Sequence, residues 1–596
     1  MNKWLIYIAL SFLCCIAYAD KPQVHYTITM TQPEHHLAEV KVSFPAYEGD
    51  YLDVMLPAWR TGRYEILDLA NGIRHFKATS KGKALKWKKV NKSQWRVFAQ
   101  GKPFSIRYQV YANQLGNRTR HIDDTHAFLD ASAVFMYSPQ FRAAPLEVSL
   151  KTPRKWRASS GLKSLSKKRF YAPNYDVLVD SPIEVGINEQ HHFSVADRDY
   201  ELVIWGKGNY DSKKMVEDLK KLDTAAADIW GNNYPFERYV YMVHATSGPR
   251  GATEHMNSTI IQKHRDKFHE RSDYLDFMMT AAHEFVHTWN VKAYRPAGLV
   301  PYDYQAEGYT RLLWMAEGST SYYHVLLPRR ADVMNQKEFL KELAKNIERY
   351  KNRPGNDTMS AAEASFDKWI EKGADYTSNF SVNIYSQGSM VSWLLDFEMR
   401  KVTNNQKSYD DLHRLLYERF PSTEKGFTPQ DVKDLLKEIT GHDFSAFWNQ
   451  YIEGTKDIDI DALLDIAGLE LVVEDEAKQK VDAGFSFNKQ TMQLTRVKKN
   501  SPAWKAGLTA GDILVAMNDM RLTAANTNKK LNELKVGSEV SLTIFRRDEL
   551  MSVSLEIEKN PYKKLKVKQK SSATEQQKAV YKSWSGHEYQ SKASKG

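Results

Sequence analysis

The stretch that most restricts how this chain can fold is Met279-Thr280-Ala281-Ala282-His283-Glu284-Phe285-Val286-His287-Thr288-Trp289-Asn290. It holds neither proline nor glycine and is bracketed by apolar residues, so it reads as a buried helix. Positions four apart share a helix face, which brings His283 and His287 close enough to bind one metal ion. Imidazole nitrogens suit Zn²⁺, and Glu284, directly after the first histidine, is placed as a general base on a metal-bound water instead of as a ligand. The pattern H-E-x-x-H also arises by chance from two core histidines and a surface glutamate, so the site needs a third donor.

Two glutamates compete for that place. Glu307 lies in the loop-like Tyr304-Gln305-Ala306-Glu307-Gly308-Tyr309, whereas Glu317 lies in the apolar run that starts at Leu312 and can pack as a helix against the first one. A rigid element holds a ligand better than a loop, which favours Glu317. Two histidines and one glutamate leave the fourth position of a tetrahedral ion open, the arrangement of a catalytic zinc, one per chain.

The 596 residues allow three or four domains, and 42% hydrophobic with 12% aromatic residues describes a globular chain. Met1-Asn2-Lys3, the apolar run from Trp4 to Ala17 and the triplet Ala17-Tyr18-Ala19 read as a signal peptide over residues 1–19, implying export to the periplasm or beyond. Both cysteines, Cys14 and Cys15, fall inside it, so the mature chain would rely on its cores and its metal rather than on disulfides. Later apolar stretches are interrupted by charges and predict no membrane span. The net charge of +11 suggests nucleic acid, but residues 561–596 carry nine lysines against two glutamates and so account for +7 of it. That distribution predicts a basic disordered tail and argues against specific nucleic-acid binding.

From Val24 to about Glu201 short runs alternate apolar and polar residues between Gly, Pro and Asn, which predicts an antiparallel β-sandwich over residues 20–200. No metal cluster is expected there, and the adjacent pairs His35-His36 and His191-His192 read as surface histidines. From 201 to 460 strands give way to helical spacing. Before the metal helix, Gly251-Ala252-Thr253-Glu254-His255 reads as an edge strand that offers backbone groups and Glu254 to a neighbour. Residues 461–482 read as a linker, and 483–560 as a small β-rich module that binds rather than catalyses. The fold class is therefore multidomain α+β.

At these residues the chain resembles a known family. The metal helix with Trp289-Asn290 and Arg295-Pro296, together with Leu313-Trp314-Met315-Ala316-Glu317-Gly318-Ser319-Thr320, is similar to the glycyl aminopeptidase family of zinc metallopeptidases, which has a thermolysin-like catalytic domain. Pro57-Ala58-Trp59-Arg60-Thr61-Gly62-Arg63-Tyr64 resembles a motif of that family's amino-terminal β domain, and Ala506-Gly507-Leu508-Thr509-Ala510-Gly511-Asp512 resembles a PDZ domain. The resemblance supports Glu317 over Glu307. It implies that Gly251, Ala252, Glu254 and His255 bind substrate, with Glu254 on a free α-ammonium and His255 where distant relatives have asparagine. It further implies that Tyr385, in Tyr385-Ser386-Gln387-Gly388, stabilises an oxyanion, although Gln387 stands where lysine is usual. The expected activity is release of amino-terminal residues from peptides, with the PDZ module binding a peptide or partner. A zinc endopeptidase and a non-catalytic PDZ peptide-binding envelope protein are the rival readings.

Overall fold

The computed structural model describes residues 23–371, 373, 375–423, 425–473, 481–560 and 562–590. The signal peptide expected over 1–19 lies outside them. The amino-terminal region is β-rich, as the alternation predicts. In Leu37–Phe44 the inward residues Ala38, Val40, Val42 and Phe44 are buried while the residues between them are half-buried. Eight strands form the largest sheet. Val24–Gln32 pairs antiparallel with Leu37–Phe44 on one side and parallel with Leu146–Lys151 on the other, so this sheet is mixed. A four-stranded sheet follows, in the order Arg157–Ser160, Ile183–Gly186, His126–Leu129 and Arg120–Ile122.

That smaller sheet abuts a five-stranded one in the order Glu189–Val195, Arg198–Trp205, Arg238–Thr246, Ser258–His264 and Gly251–His255. Its three central strands run parallel. Phe128 packs against Val203, Val240, Met242 and Ile260 on one face, and Leu202, Ile204, Tyr241 and Val243 join the helical core on the other. Burial on both faces explains why these strands read as unbroken apolar runs. Gly251–His255 closes the sheet as an antiparallel edge. Helices Ser212–Ile229, Arg271–Val286, Ser319–Arg330, Gln336–Lys351 and Ile384–Val402 carry most of the apolar core around it.

The carboxy-terminal organisation differs from expectation in two places. The stretch read as a linker begins with helix Ile460–Asp465 and strand Leu469–Val473. The tail expected to be disordered from 561 instead forms strand Leu565–Gln569 and helix Glu575–Ser585, and only residues 591–596 of it, with residue 561, lie outside the described ones. The strand pairs antiparallel with Leu469–Val473. Its lysines hid the pattern: Lys566 and Lys568 face out while Leu565 and Val567 are buried. In the helix, Val580, Tyr581 and Trp584 fall on one face and are buried. The Trp584 ring lies 5.5 Å from Trp393 and 4.9 Å from Phe397, and its Nε1 donates to the Tyr322 hydroxyl at 2.7 Å.

The small β module, with a core of Leu494, Val497, Leu514, Leu542 and Ile544, is thus inserted between two strands that pair with each other. It also touches the helical body directly. Asn379 Nδ2 donates to the Val497 carbonyl at 2.7 Å, and Asn379 Oδ1 accepts from the Lys499 amide at 2.9 Å. Among the described residues no helix is long and apolar enough to cross a membrane.

Candidate active site

His283 sits in the last turn of helix Arg271–Val286, and His287 follows as the first residue beyond it. Their Nε2 atoms lie 3.1 Å apart. Glu317 Oε2 approaches to 3.3 Å from His287 Nε2 and 3.7 Å from His283 Nε2. Glu307, the competing glutamate, is exposed in its loop. Glu317 belongs to a π-helical turn, Trp314–Gly318, that runs directly into Ser319–Arg330. Such turns insert one extra residue and re-aim the side chains around it.

Three contacts fix this geometry. His287 Nδ1 donates to the Asn290 carbonyl at 2.8 Å, which commits that nitrogen and leaves the Nε2 lone pair for the cluster. The Asn290 amide donates to the Met315 and Ala316 carbonyls, both at 3.1 Å, tying the end of the first helix to the π turn. From the amino-terminal domain, the Tyr64 hydroxyl donates to Glu317 Oε1 at 3.2 Å. Behind the turn, Gly318 meets Gly388 so closely that a Cβ on Gly388 would lie 2.4 Å from the Trp314 carbonyl oxygen. This contact seats helix Ile384–Val402 against the site, and the Tyr385 ring lies 6.1 Å from that of His283.

Electrostatics point to a cation. The carboxylates of Glu254, Glu284 and Glu317 surround two imidazoles. Burial, then the Glu254 charge, pushes the Glu284 carboxyl up to about 8. Burial opposes charge on His287, yet Glu317 outweighs it and holds the ring up to about 9. Burial and the charges of Glu317 and Glu254 also raise the Tyr385 hydroxyl well above its ordinary value, so it stays protonated as a donor. A divalent ion among these groups would replace the protons they otherwise gather. The donor set fits zinc: two Nε2 atoms and one carboxylate oxygen, all within 4.8 Å of one another.

The edge strand lies beside this cluster. Glu254 is buried, and among the described residues its Oε1 has no hydrogen-bond partner. Gly62, at φ +79°, lies so near that a Cβ there would sit 2.1 Å from Glu254 Oε1, so only glycine suits both the turn and the approach. His255 turns away into a buried network: Asp180 Oδ1 is 3.1 Å from its Nδ1 and accepts from Lys292 Nζ and Thr61 Oγ1, each at 2.9 Å. Burial would raise the Asp180 carboxyl, but Lys292 and His255 outweigh it and hold it well below the usual range. A cavity of about 280 Å³ opens where Gly251, Ala252, His283, Glu284 and Tyr385 meet, and neither Glu254 nor His255 lines it.

Comparison with known proteins matches these parts in chain order. Residues 25–187 match the Peptidase M61 N-terminal domain, 276–391 the M61 glycyl aminopeptidase model and 481–557 the PDZ domain. Both the β domain and the metal-bearing region thus match models of the M61 glycyl aminopeptidase family. This makes the M61 chain a zinc metallopeptidase carrying a PDZ module. It is similar over 94% of its length to the structure of an aminopeptidase N family protein from Idiomarina loihiensis, with 25% identity, a TM-score of 0.87 and 99% of that chain covered. An M1 zinc metallopeptidase from Deinococcus radiodurans aligns at 13% identity and a TM-score of 0.45, covering 70% of this chain and 90% of that one. Among curated proteins, the periplasmic serine endoprotease DegP of Salmonella typhimurium is 32% identical over 98 residues, 16% of this chain and a fifth of that protein's length.

Several residues that shape the M61 site escape a reading of the sequence. Tyr64 closed the Pro57-to-Tyr64 motif without a role of its own there, and its partner lies 253 positions away. Asn290 was visible beside Trp289, but not as the acceptor that sets the His287 tautomer. A second set of clustered donors, His126, Glu184 and His244, stands against the expectation that the β half forms no metal cluster. His121 Nδ1 lies 2.9 Å from His126 Nε2, His126 Nδ1 2.9 Å from Glu184 Oε1, and His244 Nε2 3.0 Å from Glu184 Oε2. Gln262 Nε2 completes the chain at 3.1 Å from His244 Nδ1. This chain stitches the four-stranded sheet to the five-stranded one. Burial opposes charge on Glu184, but His126 and the hydrogen bonds to it hold the carboxyl down to about 2.

Proposed function

We propose that this chain is an exported zinc aminopeptidase that removes amino-terminal residues from peptides, with His283, His287 and Glu317 as the metal ligands. Zinc held by these three side chains would supply Lewis acidity for the scissile carbonyl and lower the pKa of water near it toward neutrality. Glu284, whose Oε2 is buried without a partner among the described residues, takes the proton of the attacking water and returns it to the leaving amine. The Tyr385 hydroxyl donates to the oxyanion that develops on the carbonyl. Glu254 pairs with the α-ammonium of the substrate, and Gly251 and Ala252 line the space its backbone occupies. Tyr64 positions Glu317, and His255 supports the strand from below through Asp180.

One observation carries the exopeptidase reading over the endopeptidase one. The loop from Trp59 to Tyr64 closes the cleft just beyond Glu254, with Gly62 against its carboxylate and Tyr64 bonded to Glu317. That packing favours a cleft that ends at the substrate's own first residue. Occupied positions for ligands, base and oxyanion donor likewise favour an enzyme over a PDZ binding protein with a vestigial site. Release of the first residue should follow from a peptide with a free amino terminus and fail from its acetylated twin, measured by mass spectrometry of the products. Cleavage of the acetylated peptide at an internal bond would replace this reading with the endopeptidase one. Glu254→Ala should raise KM for free-amine peptides by an order of magnitude or more, the scale of one buried ion pair. Export is tested separately, by finding whether the mature amino terminus is Asp20.

A further inference from the structure

Beyond the catalytic cavity the cleft continues. Arg250, Asp276, Ser321, His324 and Tyr385 line both that cavity and a larger one of about 760 Å³, in the size range of ligand-binding clefts. The larger space runs past Arg349 and Arg353 and ends against Arg496, which belongs to the inserted module. Arg496, Asn352 and Ser378 also line a third space of about 350 Å³, whose wall includes Gly484, Phe485 and Ser486 of the module with Lys498 and Lys563. One path thus leads from the catalytic residues to the PDZ domain.

Direction along this path follows from the edge strand. Gly62 packs against the Glu254 carboxylate, whereas Arg250, just before the strand and about 13 Å away at four residues of extended chain, lines the larger cavity. A peptide whose ammonium sits at Glu254 leaves by the Arg250 end.

Charge indicates what the outer path accepts. Its acidic residues are already paired: Asp276 with Arg250 at 2.9 Å and Lys263 at 2.6 Å, Glu342 with Lys345 at 2.6 Å, and Asp273 with Lys267 at 3.2 Å. Among the described residues no carboxylate lies within ion-pair distance of Arg349, Arg353 or Arg496; Glu371 acts on Arg353 from further off and is itself paired with Lys368. Arg349 donates only to Asn346 Oδ1 at 2.8 Å, and Arg353 only to the carbonyls of Ser381 and Thr377, at 2.8 and 3.1 Å. Guanidinium groups take carboxylates in a matched fork geometry.

We propose that the groove from Arg250 to Arg496 is an extended substrate subsite in which Arg349, Arg353 and Arg496 bind carboxylates on the trailing part of the peptide being trimmed, so that short acidic peptides are the preferred class. This rests on the aminopeptidase reading for the place of the amino terminus. The carboxylates come from Asp or Glu side chains or from the peptide's own carboxy terminus.

Calorimetric titration of the zinc-loaded, full-length Glu284→Gln variant reads the groove without turnover. The probes are hexapeptides beginning Ala-Gly-Gly and continuing with either two Asp or two Asn, each with a free or an amidated carboxy terminus. Tenfold or tighter binding of the Asp peptide in both terminal forms assigns the side chains, and a tenfold loss on amidation of the Asn peptide assigns the terminal carboxylate. Arg349→Gln with Arg496→Gln, both exposed and so of small consequence for folding, should weaken binding of the Asp peptide about tenfold or more while leaving the amidated Asn peptide's Kd unchanged. Equal binding of all four peptides, or an equal loss for all four in the double variant, overturns the proposal. Hydrolysis of the neutral peptides by the parent enzyme tests the aminopeptidase reading by itself, so the two can fail separately.

Discussion

In the proposed mechanism Glu284 separates chemistry from metal binding, because it lies next to a proposed ligand without being one. Glu284→Gln should lower kcat by about 10² to 10⁴, the usual span for a general base, while elemental analysis finds the zinc content of the parent. Parent-like turnover would show that the proton leaves by another route. Tyr64 acts one step further out. Tyr64→Phe keeps the ring but removes the donor to Glu317 Oε1, and should weaken zinc affinity by about 10- to 100-fold in a chelator titration. At this scale the sequence was most informative where chemistry dictates spacing: two histidines four apart show themselves in a single line of residues. Tyr64, Asp180 and the His121-to-Gln262 chain did not, because each depends on partners far apart in the chain that tertiary packing brings together.

Among the elements, the crossing of the π turn with helix Ile384–Val402 is the least forgiving. Gly388→Ala would drive a methyl into the Trp314 carbonyl, and overpacking of this kind costs about 1–3 kcal/mol. A lowered Tm together with reduced zinc retention is expected, since the displaced turn carries Glu317. Helix Glu575–Ser585 offers a contrasting case. Trp584→Ala removes a ring held against Trp393 and Phe397 and should cost about 3–5 kcal/mol, read as a shift in the denaturation midpoint. The Glu317 element was legible from its apolar run, though its π turn was not, since no residue type marks an extra residue in a helix. The last helix was overlooked because lysine count outweighed period: Val580, Tyr581 and Trp584 are sparse among polar neighbours, and only the cavity they fill makes them a core.

Across the whole molecule, the amino-terminal domain is part of the catalyst, supplying Gly62 and Tyr64 to the site and His121, His126 and Glu184 to the joint beneath it. Burial and then His126 hold His121 down to about 4, against about 6.5 for the unfolded chain. A base held down in the folded state favours folding fully above pH 6.5 and loses that contribution as the pH falls toward 4, with a limiting slope of about 1.4 kcal/mol per pH unit. Stability measured in urea at pH 7 and pH 5 should differ less in His121→Gln than in the parent. An equal difference in both would place the acid sensitivity elsewhere. The three-part plan of a β-rich, a largely helical and a small β-rich region was readable from texture, and the resemblance supplied their identities, whereas the way the parts interlock was not, because interlocking is carried by single side chains far apart in the chain.

Leu469–Val473 and Leu565–Gln569 lie side by side, so the backbone departs from the catalytic body and rejoins it at neighbouring points. The two strands work as a socket. A foreign fold whose own ends meet could be plugged in there while the tryptophan-bearing helix beyond still latches shut, which would change the diet of the protease and leave its cutting machinery alone.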